Sequence, residues 1–156
     1  MKAASVKEIK DELSRRPPKE LMELTLRLAR FKKENKELLT YLLFESDNED
    51  AFISGVKDEI IEDFKNINRT SYYYVKKSIR KILRNIKKYV RYSKQKQTEV
   101  ELLICFCTEM KNMSPSMRRS ITMSNLYNNQ MQIMKKALAT LHEDLQFDYE
   151  SEIEDL

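Results

Sequence analysis

Residues 70–97 read TSYYYVKKSIRKILRNIKKYVRYSKQKQ, and this stretch decides the fold class. At roughly 100° per residue, its apolar side chains fall within an arc of about 120°, the width of a helix face packed on a core. These side chains are Val75, Ile79, Ile82, Leu83, Ile86, Tyr89 and Val90. The pattern predicts an amphipathic helix from Thr70 to about Ser93 that other elements must cover.

The opposite arc of this helix carries only positive charge. Residues 64–98 contain twelve Lys or Arg and no Asp or Glu. Pairs such as Lys77–Lys81 and Arg80–Arg84 place like charges one turn apart, which destabilises a helix by a few tenths of a kcal/mol. A negative partner is therefore expected. The candidate binding residues are Tyr73, Lys77, Arg80, Lys81, Arg84, Lys87, Lys88 and Arg91.

Two acidic segments of the same chain are candidates for that partner. Residues 45–63 carry eight acids against one lysine, and residues 143–155 carry seven acids and no base. The external candidates are nucleic acid, an anionic membrane and an acidic protein. A membrane-surface role is disfavoured because it would expose the apolar arc that the companion helices can bury.

The rest of the chain is also helical by its pattern. One Gly and three Pro leave few turn residues for hairpins, and no alternating strand pattern occurs. Ser5–Glu8, Ser46–Glu49 and Thr98–Glu101 have the spacing of capping boxes, and Pro18 suits the first position of a helix. Residues 19–45 form either one long helix with a weak middle, which we favour slightly, or two helices that meet near Asn35.

Two segments near the C-terminus have distinct patterns. The sequence VELLICFCTEMK, residues 100–111, is apolar around most of its circumference and predicts a central, buried helix. A last helix carries apolar residues at alternating spacings of three and four, a heptad-like seam. The members of this Met/Leu seam are Met117, Ile121, Tyr127, Met131, Met134, Leu138, Leu141 and Leu145.

These patterns predict an all-α, single-domain helical bundle or irregular antiparallel helical array of five to seven helices. The domain is expected to span residues 1–145, followed by an acidic C-terminal tail at 146–156. The longest apolar run, Leu102–Cys107, is far shorter than the roughly 20 residues of a membrane span. The charged N-terminus lacks the apolar stretch of a secretion signal, so a cytoplasmic location is expected.

The residue inventory argues against catalysis. A single histidine, His142, and a single glycine exclude a histidine-based metal or triad site and a phosphate-binding glycine loop. Cys105 and Cys107 point in different directions on a helix and are expected to act as reduced, small hydrophobic residues. We therefore expect no catalytic residue, no metal and no cofactor, and a protein that is not an enzyme.

One resemblance covers residues 5–44, SVKEIKDELSRRPPKELMELTLRLARFKKENKELLTYLLF. This segment resembles the opening of small all-helical bacterial proteins of unknown function, and its apolar spacing is similar to a pair of HEAT-type antiparallel helices. The resemblance implies an all-helical fold and transfers no functional residue.

The sequence thus predicts a non-catalytic helical interaction or regulatory module. The expected contact surfaces are the basic helix and the Met/Leu seam of the last helix, and the expected partner is another protein or a second copy of the chain. The alternative for the seam is that it only closes the intramolecular bundle. The alternative is sequence-independent nucleic-acid binding through the basic face of residues 70–94. The position of the acids of residues 45–63 and 143–155 discriminates between these two functions. Acids paired with the basic face would favour the interaction module, and an unpaired basic face would favour nucleic-acid binding.

Overall fold

The computed structural model describes all 156 residues, and they form eight α-helices and no strand. The all-α class is confirmed, while the number of helices exceeds the predicted five to seven. The contacts divide the chain into two compact units, Met1–Phe44 and Glu45–Leu156. No helix of the chain has the length and apolarity that a membrane crossing needs.

The first unit contains α1 (Val6–Leu13), α2 (Pro18–Phe31) and α3 (Lys33–Thr40). The Ser5–Glu8 capping box is present, and Pro18 is the first residue of α2 as predicted. Lys32 is extended, with φ −141° and ψ 145°, so residues 19–45 form two α-helices instead of the single long one. Asn35 stabilises this break because its Nδ2 donates a hydrogen bond to the Leu28 carbonyl at 2.8 Å.

The first unit has almost no interior. None of the side chains of α1, α2 or α3 is buried. Many of its large apolar residues are exposed, and Val6, Leu28 and Phe31 retain 83%, 62% and 76% of their surface. A short π-helix, Tyr41–Glu45, follows α3.

The second unit contains α4 (Glu49–Lys65), α5 (Tyr72–Ser93), α6 (Lys96–Asn112), a 3-10 turn (Met117–Arg119), α7 (Ile121–Leu138) and α8 (Glu143–Glu154). Helix α6 packs against α4, α5 and α7, which makes it the central helix that its apolar circumference predicts. Phe106 and Leu102 of α6 are fully buried, and the Phe106 ring contacts Phe64 of α4 edge-on at 5.6 Å.

Two of the predicted capping boxes are wrong. Helix α4 is capped by Asn48, whose side chain accepts a hydrogen bond from the Ala51 amide, and Ser46 is not the cap. Helix α6 begins at Lys96, which places Thr98 inside the helix and completely buried. Thr98 donates instead to Glu49 Oε1 at 2.5 Å and so ties α6 to α4.

The predicted last helix is divided, and the predicted tail is structured. The chain turns between α7 and α8, where His142 caps α8 by accepting a hydrogen bond from the Asp144 amide. Residues 146–154 continue α8, Ile153 is buried, and Tyr127 donates a hydrogen bond to the Leu156 carbonyl at 2.9 Å. The boundary expected near residue 145 therefore falls within α8, and the contacts divide the chain between residues 44 and 45.

Candidate functional site

Helix α5 holds the cations that the sequence singled out. Ser71 caps it at the N-terminus, and Val75, Ile79 and Ile86 are almost completely buried, so the helix is fixed on the core by its apolar face. The opposite face is exposed. We call six exposed residues on that face the basic strip: Lys77, Arg80, Lys81, Arg84, Lys87 and Arg91.

The two other predicted binding residues lie beside the basic strip in different environments. Tyr73 is 67% exposed at the start of α5, and its ring meets that of Tyr74 edge-on at 5.3 Å. Lys88 is partly buried, with its ammonium 5.0 Å from the centroid of the Tyr89 ring. The Tyr73 ring is therefore accessible from solvent, whereas Lys88 is partly covered and has an aromatic neighbour.

The acids of residues 45–63 do not neutralise the basic strip. Glu59 accepts a hydrogen bond from the Tyr89 hydroxyl at 2.9 Å, and Glu62 binds Lys65 and Asn66 of its own helix region. Glu49 accepts hydrogen bonds from Ser93 and Thr98. No member of the basic strip makes an ion pair with any carboxylate.

No acid of residues 143–155 forms an ion pair with the basic strip either. Asp144 lies 3.4 Å from His142 Nδ1, and the backbone carbonyl of Asp155 accepts a hydrogen bond from Lys111. Helix α8 is held to α6 through Tyr149, which donates to Glu101 Oε1 at 2.7 Å. Neither acidic segment therefore places a carboxylate within ion-pair distance of the six residues of the basic strip.

A groove of about 670 Å³ runs along one side of the basic strip, between α5, α6 and α7. We call it the α5–α7 groove. Its cationic edge is formed by Arg80, Arg84, Lys87 and Arg91. Its apolar lining is formed by Leu83, Ile86, Val90, Leu103 and Ile133. A smaller depression on the other side of the strip is lined by Asn68, Tyr74, Lys77, Ser78, Lys81 and Arg84.

Two polar residues complete the α5–α7 groove. Glu99 is its only acid, and Lys96 Nζ neutralises it at 2.7 Å. Gln130 of α7 retains only 4% of its surface. Its Nε2 donates to the Leu126 carbonyl at 3.3 Å, while its Oε1 is buried and accepts no hydrogen bond from the protein.

The second unit is also held together by a cluster around Glu101. Lys57 Nζ lies 2.6 Å from Glu101 Oε2, and Gln97 and Tyr149 donate to Oε1. Burial alone would raise the pKa of Glu101, but the hydrogen bonds from Lys57, Tyr149 and Gln97 and the Lys57 charge outweigh it and lower that pKa. Burial and donation to Glu101 raise the pKa of Tyr149. The cluster joins α4, α6 and α8.

Neither cysteine has the character of a reactive thiol. Both are free; Cys107 is buried and Cys105 is half-buried. Burial raises the pKa of Cys107 to about 12. Burial, followed by the nearby charge of Glu109, raises the pKa of Cys105 to about 11. No group of three or more His, Cys, Asp or Glu side chains is placed to hold a metal ion.

Most of the Met/Leu seam packs inside the second unit. Met117, Tyr127, Met134 and Leu138 are buried in the core of that unit, and Met131 and Leu141 pack against it. These positions agree with the alternative in which the seam closes the intramolecular bundle, and a partner-binding role of the seam stays a prediction. The register also differs from the predicted one: Ile121 begins α7 with 82% of its surface exposed.

Sequence reasoning found the basic strip and missed the α5–α7 groove. Gln130 carried a signal, since it lies three residues after Tyr127 and four before Met134, on the buried stripe of α7. A glutamine at a buried position of a helix needs hydrogen-bond partners there, so it predicts a polar contact at that position. Glu99 and Ile133 carried no such signal, because only the packing of α6 and α7 against α5 brings them to the strip.

Comparison with known protein families, curated proteins and solved structures finds no match to this chain. The resemblance of residues 5–44 to small helical bacterial proteins stays a prediction.

Proposed function

We propose that this protein is a non-catalytic binding module that binds nucleic acid without sequence specificity through the basic strip of α5. One observation carries the proposal: six exposed cations lie on one helix face without an ion pair, although the chain contains 25 acids. Since like charges one turn apart destabilise the helix, an external polyanion is the natural compensation.

The spacing of the basic strip suits a phosphate backbone. Helix α5 has 22 residues, and at about 1.5 Å per residue it extends far enough to follow several successive phosphates. Arginine guanidiniums contact phosphate oxygens in a forked geometry, and three of the six cations are Arg. Contacts to phosphates alone carry no sequence information, and this is why we propose sequence-independent binding.

The test is binding of mixed-sequence DNA and RNA by fluorescence anisotropy over a range of salt concentrations. Each phosphate that a cation neutralises adds about 0.7 to 0.9 to the slope of log affinity against log salt. We expect the triple variant R80E/R84E/K87E to lose binding and to reduce that slope by about two to three.

The matched control reverses three exposed cations of the same unit outside the basic strip, as R118E/K135E/K136E. It has the same net charge as the test variant, and we expect it to keep most of the affinity. Absence of binding to any nucleic acid at low salt, or equal losses in the two triple variants, would contradict the proposal.

A second candidate function, self-association through the first unit, is favoured by the exposed apolar side chains of α1 and α2. In α2 the acids Glu20 and Glu23 precede the cations Arg27 and Arg30, so two antiparallel copies of this helix can place unlike charges opposite each other. We expect the wild-type chain to form a dimer in light scattering and L24Q/L28Q to be monomeric. A wild-type protein that is monomeric at every concentration contradicts this function.

A further inference from the structure

The α5–α7 groove has features that backbone binding does not use. Contacts to phosphates need only the exposed cations, yet an apolar groove with a buried, unsatisfied carbonyl oxygen lies directly beside four of them. We infer that this groove accepts one unpaired nucleobase of the strand whose phosphates lie on the basic strip. The inference rests on the proposed function and adds a preference for single strands.

The apolar lining suits the faces of a base. Leu83, Val90 and Ile133 provide aliphatic surface on which a planar ring can be desolvated. The volume of about 670 Å³ lies within the range of about 300 to 1,000 Å³ that small-molecule sites occupy. Arg80, Arg84, Lys87 and Arg91 form the edge, so the phosphates that flank an inserted base can remain on cations.

Gln130 determines the chemistry of the occupant. Its Nε2 donates to the Leu126 carbonyl, which fixes the orientation of the amide and leaves Oε1 as an acceptor without a donor. A buried acceptor without a partner is costly, so an occupant that supplies an N–H group gains affinity when the Gln130 side chain turns its Oε1 into the groove. Every nucleobase carries an N–H group on its Watson–Crick edge.

This requirement separates a base from other amphiphilic anions. A fatty-acid chain could fill the apolar lining and place its carboxylate near the arginines, but it has no N–H group for Gln130 Oε1. In a nucleic-acid duplex the Watson–Crick edges are already paired and stacked inside the helix. The groove therefore favours single strands, while the basic strip alone accepts both single strands and duplexes.

The experiment compares three polyanions on the full chain: mixed-sequence single strands, the corresponding duplex, and inorganic polyphosphate, which has the charge without the bases. We expect single strands to bind most tightly. The variant Q130L keeps a buried side chain of similar size and removes the acceptor. We expect it to bind single strands about five- to tenfold more weakly, with unchanged polyphosphate affinity.

Two further variants control for fold and position. Gln132 lies on α7, is exposed and does not line the groove, so Q132L makes the same chemical change outside it and is expected to bind like the wild type. I133F narrows the groove with an apolar side chain and should also weaken single-strand binding alone. A circular dichroism spectrum like that of the wild type establishes that each variant is folded.

The outcomes separate the two proposals. If no polyanion binds, the proposed function itself fails. If polyphosphate and duplex bind as tightly as single strands, and Q130L and I133F leave all affinities unchanged, the basic strip binds backbones and the inference of a base pocket is overturned. Selective loss of single-strand affinity in Q130L and I133F, but not in Q132L, supports it.

Discussion

Glu101 contributes to the way in which the stability of the second unit depends on pH. Its pKa lies below the ordinary value of 4.5, so the unfolded chain binds more protons than the folded one as this carboxylate titrates. The contribution of Glu101 to stability is therefore complete above its ordinary pKa. It is lost as the pH falls from that value through the lower pKa of the folded state.

We expect E101Q to reduce the free energy of unfolding by about 1 to 2 kcal/mol near neutral pH. This expected loss is at the low end of the range for hydrogen bonds to a charged group, because the Lys57 side chain is one-third exposed and solvent screens its charge. Urea unfolding at ~pH 7 and ~pH 3 measures the effect, and the difference from the wild type should shrink at the lower value, where Glu101 is protonated in the unfolded chain and its contribution is being lost. A deficit that is the same at both values contradicts the ionic role.

Lys94 is the one residue with a left-handed backbone, with φ 59° and ψ 9°, at the C-terminal end of α5. A side chain in this conformation meets the backbone, and glycine avoids that contact. We expect K94G to raise the free energy of unfolding by roughly 0.5 to 1 kcal/mol, after the extra freedom of glycine in the unfolded chain is subtracted. K94Q removes the same charge without relieving the backbone and should not stabilise the protein in the same denaturation assay.

At the scale of one element, α5 carries unfavourable charge pairs within itself. Arg84 lies one turn from Arg80 and one turn from Lys88, so both of its i,i+4 neighbours are cations. We expect R84E to make the free protein more stable by about 0.5 to 1 kcal/mol, since two repulsive pairs become attractive. Thermal unfolding at low salt measures this gain, and high salt should reduce it.

The same substitution separates stability from binding. Under the proposed function R84E weakens nucleic-acid binding while it stabilises the helix, whereas R84Q should give about half of each effect. A destabilised R84E would mean that Arg84 has favourable contacts in the folded protein that outweigh the repulsion. In that case the repulsion between the cations of α5 would already be compensated within the protein, and it would no longer argue for an external anionic partner.

The sequence predicted some elements better than others, and the difference lies in how local their causes are. The observed α5 begins only two residues after the predicted start. The prediction is this close because the amphipathic pattern and the Ser71 cap both belong to the same short stretch of sequence. The separation of α7 from α8 was missed, since the apolar spacing continues through Leu141 and Leu145 across the turn. Likewise, only the packing of α6 and α7 against α5 brings Gln130 and Glu99 close to the basic strip. The sequence pattern of a single helix holds no information about that packing.

At the scale of the whole molecule, the two units differ in composition and in burial. The 18 cations and 18 acids of residues 45–156 balance, so the net charge of +4 belongs to residues 1–44. The buried core cluster extends from Ile53 to Ile153 and contains no residue of the first unit. The second unit therefore has a net charge of zero, but its charges are unevenly distributed: α5 is positive, whereas α4 and α8 are negative.

The burial pattern predicts that residues 45–156 fold without the first unit. Every member of the core cluster, the Glu101 cluster and the α5–α7 groove is present in that fragment, whereas residues 1–44 have about the length below which an isolated chain rarely builds a stable core. We expect the fragment 45–156 to unfold cooperatively, with a midpoint within a few degrees of the full chain, and to retain nucleic-acid affinity. Fragment 1–44 should show weak helicity and no cooperative transition in circular dichroism. If fragment 45–156 fails to unfold cooperatively, the first unit is needed for the stability of the second. A binding partner would then no longer be required to explain the apolar residues of the first unit.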